Sequence, residues 1–455
     1  MSMTRIAIRN GTVVTMDPQR RVLADHVVII EGDIIAELKP AADWTPQLGD
    51  EIVEARGRYV LPGLVNSHVH TVQHLGRGLS DDVDILTWLH KRIWPYESNL
   101  IAEESYISTL LFGLEQIANG TTTVADAGVQ HAAATVQAVN ELGIRAALCH
   151  SIMDEGEGLP STWQKTASEC IALQEEEFHH FHGAAGGRVR WWLGLRTLMN
   201  NSDDLIRQTA EAAKQLGAWI HMHVAEAEAE IDYCQKTRGT TTVRHLDRLG
   251  LLGPNLLAVH CVYLDPEEIG LLQEREVKVS HNPAAALRVM GLPKIVELLE
   301  AGVTVGLGTD GAPSNCRNSM IDEMWLTALV QKGRLRNPAA MPAQDVLEMA
   351  TIQSARCIGW EDEVGSIEVG KKADLCIINP HTPNMQPVHD PISNMVFSMK
   401  TENVESTMCG GVWLMRDRHF TQIDVEEILR EARDRAASVR KRARIELPER
   451  FNWNN

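Results

Sequence analysis

A chain of 455 residues, 44% hydrophobic and 23% charged, is long enough for two or three folding units or for one large barrel with additions. Its 61 acidic against 43 basic side chains leave a formal charge of −18, which repels phosphate backbones and anionic lipid. That argues against nucleic acid and membrane headgroups as partners and leaves small molecules and metal ions.

The opening residues 1–14 lack the basic-then-apolar layout of a secretory signal, and no uninterrupted apolar run of about 18 residues is present, so a soluble, cytoplasmic protein is expected. Residues 1–60 alternate apolar and polar positions in short runs, with Gly11, Gly32, Asp33 and Gly57 as turn signals, the pattern of a small antiparallel sheet. From residue 61 the rhythm changes. Short apolar runs recur at 61–66, 121–126, 144–150, 189–197, 217–224, 256–262, 277–281 and 303–309, separated by helical patterns such as Glu104 to Ala118 and Asp204 to Leu216. Eight such alternations over about 300 residues predict a (β/α)8 TIM-like barrel, with insertions after the first and third strands. Residues 364–379 and 404–420 return to the texture of the N-terminus, so a β-sandwich built from both chain ends is expected. The division predicted is residues 1–60 plus 360–422 for the sandwich, 61–359 for the barrel, and 423–455 for a C-terminal helix, Val425 to Arg444, with an irregular tail. The eight cysteines form no Cys-x-x-Cys pair and read as reduced core residues. His179, His180 and His182 follow an acidic helical stretch and read as a solvated helix end, and the basic run Arg440 to Arg444 as a helix face.

Barrel enzymes carry their chemistry at the C-terminal ends of strands. Here the first strand ends in His68-Val-His70, the fifth in His221-Met-His223-Val-Ala-Glu226, the sixth in His260-Cys261, the seventh in His281-Asn282 and the eighth in Asp310-Gly311. Side chains alternate along a strand, so His68 and His70 point the same way. With His223 and Asp310 they make a set of three nitrogens and one oxygen, suited to one catalytic divalent ion, zinc first and ferrous iron second, with a position left for water. Glu226, just past its strand, could relay protons or could be a solvated loop glutamate like Glu228 and Glu230. His260 could ligate or could hydrogen-bond to the reacting water, and the second role is favoured.

The segments 61–70 (Leu-Pro-Gly-Leu-Val-Asn-Ser-His-Val-His), 120–126, 221–226, 260–263, 280–283 and 308–315 (Gly-Thr-Asp-Gly-Ala-Pro-Ser-Asn) together resemble the amidohydrolase superfamily. Within it the chain is similar to the branch of guanine, cytosine and S-adenosylhomocysteine deaminases and triazine hydrolases, including atrazine chlorohydrolase, and 364–375 resembles that family's return to its terminal β-unit. The resemblance implies a metal held by His68, His70, His223 and Asp310, water activation and proton transfer by Glu226, His260 and Asp310, a small-molecule substrate and a homodimer. The fourth strand, 189–197, lacks the lysine that bridges two metals elsewhere in the superfamily, so one ion is expected. Deaminases of this branch often carry Pro-His-Ser-Pro-like residues after that strand, where this chain has Leu195-Arg196-Thr197. Arg196 could face the pocket and hold a carboxylate, carbonyl or ring nitrogen, or could pair with Asp203 or Asp204 outside it. Gln73 and Trp88 match positions on the family's pocket wall, though Trp88 and Trp94 could equally be core. Met153, Asn201, His281 and Ser314 are further candidates for substrate contact.

These observations predict a metal-dependent hydrolase that displaces an amino group from a cyclic amidine-like or heteroaromatic ring of the nucleobase, pterin or s-triazine type. The alternatives are release of chloride or alkylamine from a triazine, hydrolysis of an amide or aryl urea, and, more remotely, a non-catalytic ligand-binding barrel.

Overall fold

The computed structural model describes residues 5–447; the first four residues and the expected tail from 448 onward lie outside them. Five strands open the chain: β1 (Arg5–Val14), β2 (Val22–Glu31), β3 (Ile34–Pro40), β4 (Glu51–Glu54) and β5 (Tyr59–Pro62). The barrel follows as β6 (Leu64–Val69), β7 (Thr121–Val129), β8 (Arg145–Ile152), β9 (Val189–Trp191), β10 (Leu193–Leu195), β11 (Ile220–Val224), β12 (Leu256–His260), β13 (Lys278–His281) and β14 (Thr304–Leu307). Its fourth strand is split into β9 and β10 at Trp192. The chain returns as β15 (Leu375–Ile378), β16 (Val404–Cys409), β17 (Val412–Arg416) and β18 (His419–Phe420).

From β14 back to β6 every neighbour pairs in parallel, with β9 beside β8. Helices cover the outside, so β7, β11 and β12 are buried at every position, as their continuous apolar texture requires. Closure comes at the mouth. The carbonyl of His68 accepts the amides of both Thr309 (3.1 Å) and Asp310 (2.9 Å), and Val69 bridges Asp310. Gly308 makes this approach possible, since a Cβ there would lie 2.8 Å from the His68 nitrogen. The seam that closes the barrel therefore also brings the first and eighth strand ends together.

The apolar run at 61–66 is divided between two sheets. Leu61 and Pro62 belong to β5 and pair with β15, and Gly63, whose amide reaches the Asp374 carbonyl at 2.9 Å, carries the chain into the barrel. The run at 217–224 also begins later, because Gly217 (φ 65°) ends the helix Asp203–Leu216. The helix predicted from Glu104 spans Ala102–Ala118, and the last helix spans Val425–Arg442, capped where the Asp424 carboxylate accepts the Glu427 amide at 3.1 Å. Arg442 at its end donates to the Asn99 carbonyl and pairs with Glu104, which fixes this helix against Ala102–Ala118.

Both chain ends enter one nine-stranded sheet in the order β18-β17-β16-β15-β5-β1-β2-β3, with β4 beside β1. Residues 1–60 form a mixed rather than a purely antiparallel part of it, since β1 pairs in parallel with β4 and β5, and its core brings Ile6, Ile8, Val28, Ile30 and Ile35 together with Leu375, Ile377 and Met408. A buried bidentate pair ties this sheet to the barrel: Arg145 on β8 donates to both oxygens of Asp374 at 2.9 and 3.0 Å. Breaking one side of such a pair strands a charge, so Asp374→Ala is expected to cost about 3–5 kcal/mol of stability, read from the urea midpoint. A loss below roughly 1 kcal/mol would show the pair to be inert. All eight cysteines are free thiols, seven of them buried. No helix among the described residues is long and apolar enough to cross a membrane.

Candidate active site

The strand ends converge on one point beneath the barrel mouth. His68 and His70 leave β6 with each Nε2 3.5 Å from Asp310 Oδ1, and His223 Nε2 from β11 lies 3.3 Å from His70 Nε2. Donors held about 2.0–2.1 Å from a tetrahedral ion lie roughly 3.3–3.4 Å apart, so these spacings suit a shared ion better than contacts with one another. His68, His70 and Asp310 offer ligand atoms within 4.8 Å of one another, and so do His68, His223 and His260. His68 Nε2 is buried without a hydrogen-bond partner, a costly state for a polar atom unless something else meets it.

Hydrogen bonds around the rings sort ligands from donors. His223 Nδ1 donates to the Arg196 carbonyl at 2.9 Å, which leaves the Nε2 lone pair facing inward. His68 Nδ1 meets His221 Nε2 at 3.0 Å, so His221 braces the ring from behind. His260 differs. Its Nδ1 accepts from the Asn282 amide at 3.2 Å, so the proton sits on Nε2, 3.6 Å from Glu226 Oε2 and 3.9 Å from Asp310 Oδ2. That tautomer makes His260 a donor into the site.

Burial, and after it the neighbouring His68, pulls the pKa of His70 and His223 far below that of free histidine, and burial pulls His260 down to about 3, so the rings of His70, His223 and His260 are neutral. Burial acts against ionisation of Asp310 too, but the facing imidazoles, His68 first, outweigh it and hold the carboxyl well below its ordinary range. Glu226 shifts the other way: burial, then the Glu230 carboxylate, raises it to about 8 against the pull of Arg196, so it carries a proton at neutral pH. Glu230 is no solvated loop residue. It is buried and accepts the amides of Ala225 (3.1 Å) and Glu226 (3.0 Å), fixing the turn that carries Glu226. Three of these turns leave the strand through left-handed backbone, at Ala225 (φ 50°), His260 (φ 73°) and Asp310 (φ 63°), conformations that cost on the order of 1–3 kcal/mol each and cluster at functional sites.

A cavity opens over this cluster, lined by the polar groups of His70, His223, Glu226, His260 and Asp310 and by the apolar side chains of Ile85, Leu86, Trp88, Leu89, Val289 and Met290. Trp88 serves both expected roles, lining the cavity and packing with Ile93 and Trp94. Ser314 lines it with its hydroxyl donating to the Gly311 carbonyl at 2.9 Å. Arg196 lines it as well. Among the described residues its one ion pair is with Glu97, 3.7 Å away, while Asp203 is taken by Arg238 and His245, which rules out the pairing with Asp203.

Four candidates for substrate contact lie off the cavity wall. Gln73 is buried, its amide donating to Glu97 at 2.7 Å. Met153 packs among Trp88, Leu89, Ile93 and Trp94. Asn201 donates to the Ile152 carbonyl at 2.9 Å. His281 is buried at the end of β13, with burial lowering it to about 3. The histidines at 179 and 180 are exposed at the end of the helix Ala167–Phe181 and join no metal-binding group. The supporting residues His221, Asn282, Glu97 and Glu230 were assigned no role from sequence. His221 alone carried a signal, two positions before His223 and so on the same strand face.

A family profile described as amidohydrolase family matches residues 59–414. The chain is 37% identical over 443 residues, 97% of its length and 100% of the relative's, to a 5'-deoxyadenosine deaminase of Methanosarcina acetivorans. It is 36% identical over 431 residues, 94% of its length and 97% of the relative's, to a 5-methylthioadenosine/S-adenosylhomocysteine deaminase of Moorella thermoacetica. Among solved structures it is similar to a zinc-bound adenosine deaminase of Xanthomonas campestris, with TM-score 0.91, 29% identity and coverage of 96% of this chain and 99% of the other. A zinc complex of atrazine chlorohydrolase from Arthrobacter aurescens gives TM-score 0.88 at 26% identity, covering 95% and 100%.

Proposed function

The chain belongs to the amidohydrolase family, and from that premise we propose that it is a metal-dependent deaminase that replaces the amino group of a heteroaromatic ring with an oxygen from water. The observation that carries this reading is the juxtaposition of His68, His70, His223 and Asp310, with facing donor atoms 3.3–3.5 Å apart, and the Glu226 carboxyl, 3.6 Å from His260 Nε2 at the same cavity.

His68, His70, His223 and Asp310 would hold one divalent ion, zinc by the donor set and by the zinc named in the similar structures. A single ion fits because the fourth strand ends in Leu195-Arg196, and no lysine lines the cavity among the described residues. Such an ion lowers the pKa of water enough to supply a nucleophile near neutral pH. The chain's own groups do the rest. Ionised Asp310 orients the water and takes its proton, and His260 donates from Nε2 to the oxygen as it bonds to the ring carbon. Glu226 gives its proton to the adjacent ring nitrogen and recovers one from the added hydroxyl as the carbonyl forms, while the proton held by Asp310 passes to the amine, so that ammonia leaves. Trp88 and the apolar wall hold a flat ring and keep bulk water out.

The relatives named as deaminases of adenosine derivatives support ammonia as the leaving group. Similarity to atrazine chlorohydrolase supports a second reading, loss of chloride or alkylamine from a triazine. Assaying the zinc-loaded protein against aminopurines, pterins, cytosine-like rings, triazines and aryl ureas separates the two. Ammonia release from an amino ring is expected, and turnover confined to chlorinated or alkylaminated triazines would overturn the proposal.

A further inference from the structure

The space over the donor cluster measures about 30 Å³, room for about two waters. A whole heteroaromatic ring cannot enter it unless a wall moves. The apolar wall comes from two segments, Ile85 to Leu89 in the insertion after β6, and Val289 with Met290 in the loop after β13. The first is backed by the buried packing of Trp88 against Ile93 and Trp94. The second has little behind it. Residues 286–290 form one π-turn, a form found mostly at functional sites, and Ala286 alone among them is buried. The turn ends at Gly291 (φ 145°, ψ −153°), in backbone that only glycine adopts readily, with Leu287 and Leu292 exposed on its flanks.

The base and the tip of this turn are held differently. At the base the Ala284 amide donates to Oε2 of the buried Glu323 at 3.0 Å, and beside Gly291 the Tyr263 hydroxyl donates to the Met290 carbonyl at 2.7 Å. At the tip Arg288 donates to Asp81 Oδ1 at 2.6 Å and to Cys316 Sγ at 3.2 Å, and the Cys316 thiol reaches the same Asp81 oxygen at 3.7 Å. Asp81 shortly precedes Ile85, and Cys316 follows Ser314 in the loop after β14, so three side chains tie together the three loops they stand on. Arg288 and Asp81 are 32% and 40% exposed, which makes the tie weak enough to break and re-form. Resting on the deaminase reading above, we propose that residues 286–291 are an entry flap and that Arg288, through Asp81 and Cys316, is its latch. Latched, the site has room for water but not for a ring; unlatched, the turn swings clear about Gly291 and a ring enters. The latched form competes with binding, so the latch raises KM and leaves the chemical step alone.

Loss of a part-exposed ion pair shifts such a balance by about 2- to 5-fold. Arg288→Gln and Asp81→Asn are each expected to lower KM by that factor for the amino ring that the zinc enzyme turns over, with kcat unchanged, and the double variant should go no further. Salt screens the pair, so the wild-type KM should fall toward that of the variants as ionic strength rises, while theirs stays level. Hydrogen exchange follows the flap without a substrate: amides of residues 287–291 should exchange faster in both variants by the same factor, and those of Met320–Leu335 at the wild-type rate. Locking the flap gives the converse. Arg288→Cys, bridged to Cys316 by a propane bis-thiosulfonate about as long as the side chain it replaces, should lose turnover and regain it on reduction with a phosphine. The same reagent on wild type, where the other seven thiols are buried, should not abolish turnover. Unchanged KM and exchange in both variants, or a bridged protein at full turnover, overturns the flap. Absence of ammonia from every amine sinks the deaminase reading alone, and the exchange rates then decide the flap by themselves.

Discussion

Glu226→Gln should lower turnover by about 10²–10⁴-fold while the protein keeps its metal, the range expected for loss of a positioned proton donor. Glutamine preserves the size of the side chain and its place beside His260 but carries no exchangeable acid. The same reading fixes a pH dependence. With its pKa raised to about 8, chiefly by burial and then by Glu230, Glu226 holds its proton below that pH and loses it above. The donor form therefore disappears as pH rises, and kcat/KM is expected to fall with a limb near pH 8. Glu230→Gln removes the neighbouring negative charge, so Glu226 should ionise more readily and the limb should move to lower pH. Rates of ammonia release between pH 6 and 10, with elemental analysis of each variant, check both points. Turnover of Glu226→Gln within about threefold of wild type, metal still bound, would show that the proton comes from elsewhere.

The metal ligands should divide sharply from the residues that brace them. His70→Ala and Asp310→Asn remove donors from the cluster and should leave less than about a tenth of an ion per chain, with activity at background. His221→Ala leaves every donor in place but frees His68 Nδ1, whose only partner is His221 Nε2 at 3.0 Å. Loss of such an orienting contact weakens metal binding by about 10–100-fold, so this variant should regain activity at high zinc concentration. Ligand and brace responding alike to added zinc would mean that the cluster is not organised as described.

Much of this site was legible in the sequence because a barrel strand leaves little freedom. Period-two alternation puts His68 and His70 on one face, and the rule that chemistry gathers at C-terminal strand ends joins them to His223, His260 and Asp310 across some 240 residues. What surrounds the donors was not legible, because it depends on how insertions and turns fold back. Glu97 lies in the insertion after β6 and reaches Arg196 only in three dimensions. Glu230 looks like one of several loop acids until its carboxylate is seen holding two amides. Arg196 could not be placed from sequence, since the competing Asp203 sits on the next helix and is claimed by Arg238 and His245. Met153 packs with Trp88 and Asn201 donates to the Ile152 carbonyl, placements that proximity to a strand end does not dictate.

Titration of metal-depleted enzyme with zinc, followed by ammonia release from an amino-heteroaromatic ring, tests the central claim most directly. Four donors converging on one point predict that activity rises from background and levels off at one ion per chain. Full activity without metal, or a plateau only at two ions per chain, would contradict it.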